Sequence, residues 1–296
     1  MPIFAGGFEK IRLMTRDGSI WLRNGMIWGC LIFVLILLGC YLCYFLRNQY
    51  GAATEHAIYQ IPPKHDDDTL RVAVIGDSWA FYHEANQCDT LFKSYARQLM
   101  LRPVKCFSKG HNGQKTSGVY DDMFADRPVK YEWERAFCTQ PLLEQHPDYC
   151  VIMAGINDLC SQVSPNIYAA NYQMIIQLLL ANSICPVVME IPELDVSFAC
   201  RRMGFLKYVR SRLFSFVTGA GWDDVAVYQK ALRSMLATTG LGDSVLFISA
   251  SDWNRQASPF YTDDRFHLTP QGYEVLDSCI ASAIVRQNLK SLPPAS

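Results

Sequence analysis

The first feature of the hydrophobic pattern is an apolar run near the start of the chain. Residues 25–46 carry no charged side chain, whereas residues 1–24 are polar and basic. A helix needs about 20 apolar residues to cross a bilayer, so the pattern predicts a transmembrane helix over residues 25–46. Because the basic residues precede the span, the positive-inside rule places residues 1–24 in the cytoplasm and exports the chain beyond residue 46. We expect an uncleaved anchor.

The next segment, residues 47–69, has the composition of a linker. Pro62 and Pro63 interrupt secondary structure, and three consecutive aspartates (Asp66, Asp67 and Asp68) form a solvated charge run. The sequence therefore predicts a flexible, solvated connection between the membrane helix and the remainder of the chain.

From Leu70 onward the pattern alternates between apolar strands and helical segments. The two clearest buried strands are 70–76 and 149–154, with further strands at 104–107, 186–191 and 244–249 and a closing helix at 270–289. Such alternation is typical of a parallel sheet covered by helices on both faces. The sequence therefore predicts one domain, residues 70–296, with an α/β fold: a three-layer α/β/α sandwich.

Polar residues stand where the predicted strands end. Ser78 follows the first strand, Gly113 lies in the turn after the second, and Asn157 follows the third, while a late loop carries Asp264 and His267. Parallel strands bring their carboxyl ends to one edge of the sheet. Nucleophilic acyl transfer requires a hydroxyl, a base, a group that orients the base, and oxyanion donors. For the stretch around Ser78 taken alone, the alternative is that Asp77 or Ser78 only caps the helix.

Four blocks in order resemble the SGNH (GDSL-type) hydrolase family of serine esterases and acyltransferases. Gly76-Asp77-Ser78 is similar to the family's first block, although Trp79 stands where leucine is usual, and Gly113 is similar to the glycine of the second. Gly155-Ile156-Asn157-Asp158 matches the third block, and Asp264-Arg265-Phe266-His267-Leu268 the fifth. The resemblance covers roughly residues 70 to 290.

The resemblance implies a role for each matching residue. Ser78 is the nucleophile, His267 the general base and acid, and Asp264 the carboxylate that orients the imidazole. The backbone N–H groups of Ser78 and Gly113, together with the Asn157 amide, form the oxyanion hole. Asp263 competes with Asp264 by position, and only the family's spacing selects Asp264.

The composition limits the classes of partner and cofactor that we expect. The formal net charge is −1, which gives no global basic field for nucleic acid. The 11 cysteines show no metal-ligand spacing outside the apolar span, and neither a metal nor an organic cofactor is implied. In an exported domain, disulfides would be drawn from six cysteines: Cys88, Cys106, Cys138, Cys160, Cys200 and Cys279.

A basic, aromatic-rich segment, residues 198–222, exceeds a minimal domain of this type. Three interpretations remain open: a membrane-surface helix, a site for an acidic glycan, or an ordinary amphipathic helix with a solvated basic face. The sequence does not choose among them.

The function predicted is hydrolysis of a small ester, an O-acetyl group on a cell-envelope or extracellular carbohydrate, through an acyl-Ser78 intermediate. The domain would be periplasmic or extracellular, held to the lipid bilayer by the N-terminal helix, with protein partners unknown. An O-acyltransferase with the same triad, a lipase, lysophospholipase or thioesterase, and a catalytically silent glycan-binding module remain as alternatives.

Overall fold

A computed structural model of the chain describes residues 5–64, 66–85, 103–194, 204–221, 223–254 and 258–290, with side chains from residue 24 to residue 288. The chain divides into two compact units, residues 1–45 and 46–296. The first consists of most of one long helix, and the second contains the sheet and every candidate site residue.

Five parallel strands form a single sheet in the order β2-β1-β3-β4-β5. The strands are β1 (Leu70–Gly76), β2 (Val104–Gly110), β3 (Tyr149–Met153), β4 (Cys185–Met189) and β5 (Leu246–Ile248). The two strands at the centre of the apolar pattern, β1 and β3, are buried at every position and pair with each other. A strand covered on both faces requires this continuous apolar run.

Ten α-helices accompany the strands in the described residues: α1 (Ala5–Asn48), α2 (Ser78–Ala85), α3 (Thr116–Asp121), α4 (Gln140–Leu143), α5 (Ile156–Cys160), α6 (Pro165–Ala181), α7 (Phe205–Thr218), α8 (Val225–Thr238), α9 (Ala250–Trp253) and α10 (Pro270–Lys290). Short 3₁₀ helices occupy Glu132–Phe137, Leu241–Ser244 and Ser258–Phe260.

The helices cover both faces of the sheet. Parallel strands are joined by right-handed crossovers, so the step from β1 to β2 places α2 on one face. The later steps, from β2 to β3, β4 and β5, cross the sheet in the opposite direction and place α3, α6 and α8 on its other face. Helix α10 joins α2, because the imidazole of His83 on α2 meets the carboxylate of Asp277 on α10 at 3.0 Å. The predicted three-layer α/β/α fold is confirmed.

The apolar run lies within α1, which begins 20 residues before the predicted span, at Ala5. Its part from Asn24 to Asn48 is 25 residues long, has a mean hydropathy of 2.5 and buries none of its apolar window. By length and composition this helix fits either a membrane anchor or a signal sequence.

The segment between α1 and β1 departs from its prediction as a flexible linker. The backbone N–H of Ala53 donates to Asn171 Oδ1 (2.9 Å) and that of Ile61 to Asn182 Oδ1 (2.8 Å), the first on α6 and the second at its end. The Tyr59 hydroxyl donates to the carbonyl of Met123 at 2.9 Å. These bonds hold residues 53–61, which we call the strap, along the helical layer, whereas the side chains of Asp66, Asp67 and Asp68 are exposed.

No disulfide joins the cysteines within the described ranges. Cys106, Cys138, Cys160 and Cys279 are four of the six disulfide candidates, and no disulfide joins any two of them. The other two, Cys88 and Cys200, lie outside those ranges. Cys150, inside β3, is a buried thiol whose pKa is raised well above its ordinary value by burial.

Candidate active site

The turn from β1 into α2 places Ser78 at the carboxyl edge of the sheet. Gly76 ends β1, and a Cβ added there would lie 1.9 Å from the carbonyl oxygen of Met153, which only glycine avoids. The next residue, Asp77, donates its backbone N–H to that same carbonyl (2.9 Å) and accepts the N–H of Trp79 on its carboxylate (3.0 Å). Ser78 therefore opens α2 beside the point where the strand order reverses between β1 and β3, where open α/β sheets bind ligands.

A continuous line of hydrogen-bonding groups runs from Ser78 to Asp264. Ser78 Oγ lies 3.0 Å from His267 Nε2, and His267 Nδ1 lies 2.5 Å from Asp264 Oδ2. Ser78 and His267 lie 189 positions apart in the sequence, whereas Asp264 and His267 lie only three positions apart. The hydroxyl, the imidazole and the carboxylate thus have the mutual geometry that acyl transfer requires of a nucleophile, a base and an orienting group.

The loop before α10 fixes Asp264. Its Oδ1 accepts three donors: the backbone N–H groups of Phe266 (2.8 Å) and His267 (3.0 Å), and the Thr262 hydroxyl (2.7 Å). Burial raises the pKa of this carboxyl, but the hydrogen bonds from His267, Phe266 and Thr262 outweigh it, and the net pKa lies well below its ordinary value. Asp264 is therefore a fixed carboxylate, and it, rather than the neighbouring exposed Asp263, meets the imidazole.

Asn157 approaches the same turn from β3. Its Nδ2 donates to Asp77 Oδ2 at 3.1 Å, which brings the first and third sequence blocks together. An amide nitrogen carries two N–H groups, so this bond leaves the other for a ligand. Asp77 is a residue whose part in the site the sequence did not reveal, since its position beside Ser78 indicates a helix cap alone.

Burial sets the ionisation of Asp77. Its side chain is closed off from solvent, which raises its pKa to about 7, while the donors from Trp79 and Asn157 act in the opposite direction. The folded protein thus keeps a proton on Asp77 up to neutral pH, whereas the unfolded chain loses it near 3.8.

We expect the free energy of unfolding to fall as pH rises from about 4 to about 7, because the folded state binds more protons than the unfolded state in that window. The Asp77→Asn variant lacks this titration. Between about pH 4 and pH 7 the unfolding free energy of the wild type should therefore fall by about 4 kcal/mol more than that of the variant. Unfolding of the full-length proteins in mild detergent at these two pH values measures the difference. The exposed control Asp263→Asn keeps the wild-type curve, and parallel curves for wild type and Asp77→Asn would refute the assignment.

Gly113 lies in the turn that follows β2. Its φ of 77° is in the left-handed region that favours glycine, and the space where a Cβ would sit is open. The turn is held at both ends: the N–H of His111 donates to the Gly76 carbonyl (3.0 Å), and Thr116 donates its N–H (2.8 Å) and its hydroxyl (2.7 Å) to the Asp158 carboxylate. Asp158 therefore ties the Gly113 turn to the block that carries Asn157.

Trp79 faces inward rather than toward a ligand. It is 3% exposed, and its indole N–H donates to the carbonyl of Phe266 at 2.9 Å. Its ring meets Trp253 edge-on at 5.8 Å. Trp79, which stands where the family usually has leucine, thus links the turn that carries Ser78 to the loop that carries His267.

A second serine–histidine–aspartate set lies inside the domain. His83 Nδ1 is 2.7 Å from Ser108 Oγ, and His83 Nε2 is 3.0 Å from the Asp277 carboxylate. All three residues are buried. No ester reaches a hydroxyl sealed between α2, β2 and α10, so this set joins elements and does not act on substrate.

His111 lies near the site in sequence and has structural partners. His111, in the turn after β2, stacks on Phe137 at 3.9 Å and pairs with Asp122 at 3.1 Å. Across the described ranges, no cluster of three or more His, Cys, Asp or Glu has the arrangement of a metal site.

The family model that matches residues 74–275 is described as the GDSL-like lipase/acylhydrolase family. The chain belongs to that family. The match spans the four sequence blocks up to α10 and confirms the resemblance found in the sequence. An esterase-type hydrolase follows from membership, whereas the choice between hydrolysis and acyl transfer does not. The comparison with curated proteins finds no match.

Solved structures with the same fold include several hydrolases. The psychrotrophic esterase EstA from Pseudoalteromonas sp., in a structure inhibited by monoethylphosphonate, has a TM-score of 0.50 at 12% identity and covers 76% of this chain and 100% of its own. The lipase/acylhydrolase from Enterococcus faecalis has a TM-score of 0.49 at 16% identity, and the match covers 77% of this chain and 99% of that one. The acetylxylan esterase Axe2 from Geobacillus stearothermophilus has a TM-score of 0.45 at 18% identity, and the match covers 73% of this chain and 94% of that one. At these identities the likeness concerns the fold alone.

Proposed function

We propose that this GDSL-family chain is a membrane-anchored serine esterase that removes small acyl groups, with O-acetyl groups of an envelope or extracellular carbohydrate as its substrate class. One observation carries the proposal: Ser78, His267 and Asp264 form an unbroken hydrogen-bonded line at the carboxyl edge of the sheet. The catalytic role of each residue is part of this proposal.

The first half of the reaction transfers the acyl group to Ser78. As Ser78 Oγ attacks the ester carbonyl, its proton passes to His267 Nε2, and the new C–O bond gives a tetrahedral oxyanion. Asp264 holds the Nδ1 proton of the imidazole and stabilises the imidazolium that forms. The imidazolium then gives its Nε2 proton to the sugar oxygen as the bond between the acyl carbon and that oxygen breaks, which releases the sugar hydroxyl and leaves acyl-Ser78.

The oxyanion meets donors from three parts of the chain. The backbone N–H groups of Ser78 and Gly113 and the second N–H of the Asn157 amide supply them. Asp77 keeps the amide in place through its bond to Nδ2. The donors belong to β1–α2, β2–α3 and β3–α5 connections, so the sheet itself sets their spacing.

Water completes the cycle. The oxygen of a water molecule attacks the acyl carbon while His267 Nε2 takes a proton from that water. His267 then gives this proton to the Ser78 oxygen as the bond between the acyl carbon and Ser78 breaks. The side chains of His267 and Asp264 are 31% and 47% exposed. Access of solvent to the base supports hydrolysis over transfer to a sugar acceptor, which requires water to be excluded.

The proposed location rests on α1. Its apolar part supports a single membrane span, and the basic residues before it support a cytoplasmic N-terminus and an exported domain. The proposed arrangement is a cytoplasmic segment (1–24), a span (25–46), a linker that contains the strap (47–69) and the hydrolase domain (70–296). A domain tethered outside the membrane meets envelope carbohydrates, and this supports the substrate class.

A chain-length series tests the substrate class. We expect full-length protein in mild detergent to hydrolyse p-nitrophenyl acetate and acetylated polysaccharide with a higher kcat/KM than p-nitrophenyl octanoate. A preference for octanoate would favour the lipase alternative. Acetyl groups appearing on an added glycan instead of in solution would favour the acyltransferase. Carbohydrate binding with no turnover would favour the silent module.

We expect Asn157→Ala to lower kcat about 100- to 1000-fold with little change in KM, because the amide binds charge that exists only in the transition state. Steady-state kinetics on p-nitrophenyl acetate measures it. Asn166→Ala, on the exposed start of α6, serves as the matched control and retains activity. A kcat within a few-fold of wild type for Asn157→Ala would remove the amide from the oxyanion hole.

A further inference from the structure

Helix α7 is amphipathic, but its polar side is buried and its apolar side is exposed. Its polar side faces the domain: Ser211 and Thr218 are buried, and Gln162 bonds the Ser211 carbonyl (2.9 Å) and the Ser215 hydroxyl (2.8 Å). Large apolar side chains point outward instead, namely Phe205, Leu206, Val209, Leu213 and Phe216. Phe216 is 89% exposed and Leu206 82%.

These outward residues form one stripe. At 3.6 residues per turn they fall within about 120° of the helix circumference, a width typical of a face that is covered by apolar material. A surface helix in a water-soluble domain normally turns this face inward. Among the residues that the structure describes, packing within the domain therefore does not account for the stripe.

The borders of the stripe are basic. Arg210 and Arg212 lie on opposite sides of it, and the helix carries no acidic residue. The Arg212 guanidinium lies 5.7 Å from the ring centre of Tyr208. An apolar stripe between cations is the arrangement of helices that lie in the headgroup region of anionic bilayers.

Helix α7 contacts the part of the chain that directly follows the apolar run. The ring of Tyr50 meets that of Phe214 edge-on at 6.3 Å. Tyr50 follows Asn48, the last residue of α1, by two positions, which an extended chain spans in about 7 Å. If α1 crosses a bilayer, α7 lies within reach of the surface from which the chain emerges.

We propose that α7 docks on an anionic lipid bilayer, with the stripe of Phe205, Leu206, Val209, Leu213 and Phe216 in the headgroup–acyl boundary and Arg210 and Arg212 on lipid phosphates. This inference rests on the membrane anchoring of the proposed function and adds a second attachment to it. Two attachments restrict the tilt of the hydrolase domain over the membrane.

Photo-crosslinking of the full-length chain in nanodiscs tests the docking. The two matched positions are Phe216→p-benzoylphenylalanine on α7 and Glu274→p-benzoylphenylalanine, exposed on α10 at the opposite face of the sheet. In discs of phosphatidylcholine mixed with phosphatidylglycerol, we expect lipid adducts at position 216 and at most a tenth as many at 274. Arg210→Gln with Arg212→Gln lowers the yield at 216 about five-fold or more, as expected for two phosphate contacts. Lys105→Gln with Arg286→Gln removes equal charge elsewhere and leaves it unchanged.

The outcomes separate the two proposals. Equal adduct yields at the two positions, or crosslinking of position 216 to a second copy of the chain, would overturn the docking while the anchor stands. Failure of the chain to co-elute with the discs would refute the anchor and the docking together. Hydrolysis of p-nitrophenyl acetate by the same samples reports on the esterase separately, and none of the substitutions touches its residues.

Discussion

Replacing Ser78 by alanine should abolish ester hydrolysis while leaving the fold intact. Ser78 Oγ is the hydroxyl 3.0 Å from His267 Nε2, and no other side chain offers a nucleophile to that base among the described residues. Loss of the nucleophile lowers kcat by about 10⁴-fold or more, down to the residual rate that oxyanion donors and binding provide. The melting temperature should change little, since the Ser78 hydroxyl lies at the edge of the sheet rather than in the core.

A fluorophosphonate probe checks this prediction on the protein itself. Intact-mass and peptide mass spectrometry should find one adduct on Ser78 in wild type and none in Ser78→Ala or His267→Ala. The chain offers a matched control in Ser108, which also bonds a histidine but is buried. Ser108→Ala should keep both the adduct and the activity. Labelling that persists in Ser78→Ala would place the nucleophile elsewhere.

The strands and the hydrogen-bonded line from Ser78 to Asp264 are predictable because their sequence signals are local. Continuous apolar runs such as 70–76 are typical of buried parallel strands, and the polar residues after them reach one edge by topology alone. The short spacing from Asp264 to His267 confines the pair to one loop. The helix at Val225–Thr238 is absent from the sequence prediction, although its buried residues recur at helical spacing: Val225, Tyr228, Leu232, Met235 and Leu236.

Other features depend on contacts that no local pattern contains. The strap has the composition of a linker, and only its bonds to Asn171 and Asn182, more than 100 residues away, show that it is held. The bond between Asn157 and Asp77 likewise joins two blocks 80 positions apart. For α7 the sequence shows an apolar face, but which face turns inward depends on Gln162, a partner outside the helix.

The second large effect is expected from Asp264→Asn, which should lower kcat about 10⁴-fold without disturbing the loop. The oxygen that corresponds to Oδ1 keeps its three donors from Thr262, Phe266 and His267, so the new amide nitrogen takes the place of Oδ2. That nitrogen donates to His267 Nδ1, and the imidazole must then carry its proton on Nε2. A protonated Nε2 cannot accept the proton of Ser78, so the base is lost although every heavy atom stays in position.

Kinetics together with nitrogen NMR of the histidine separates this explanation from a structural one. In wild type the Nδ1 proton should be found beside the Asp264 carboxylate, and in Asp264→Asn the proton should move to Nε2. Asp263→Asn, one position earlier and exposed, should retain wild-type kcat and tautomer. Full activity in Asp264→Asn, with loss in Asp263→Asn, would show that the neighbouring carboxylate orients the base. Because the pKa of Asp264 lies well below its ordinary value, its charge persists through the neutral range.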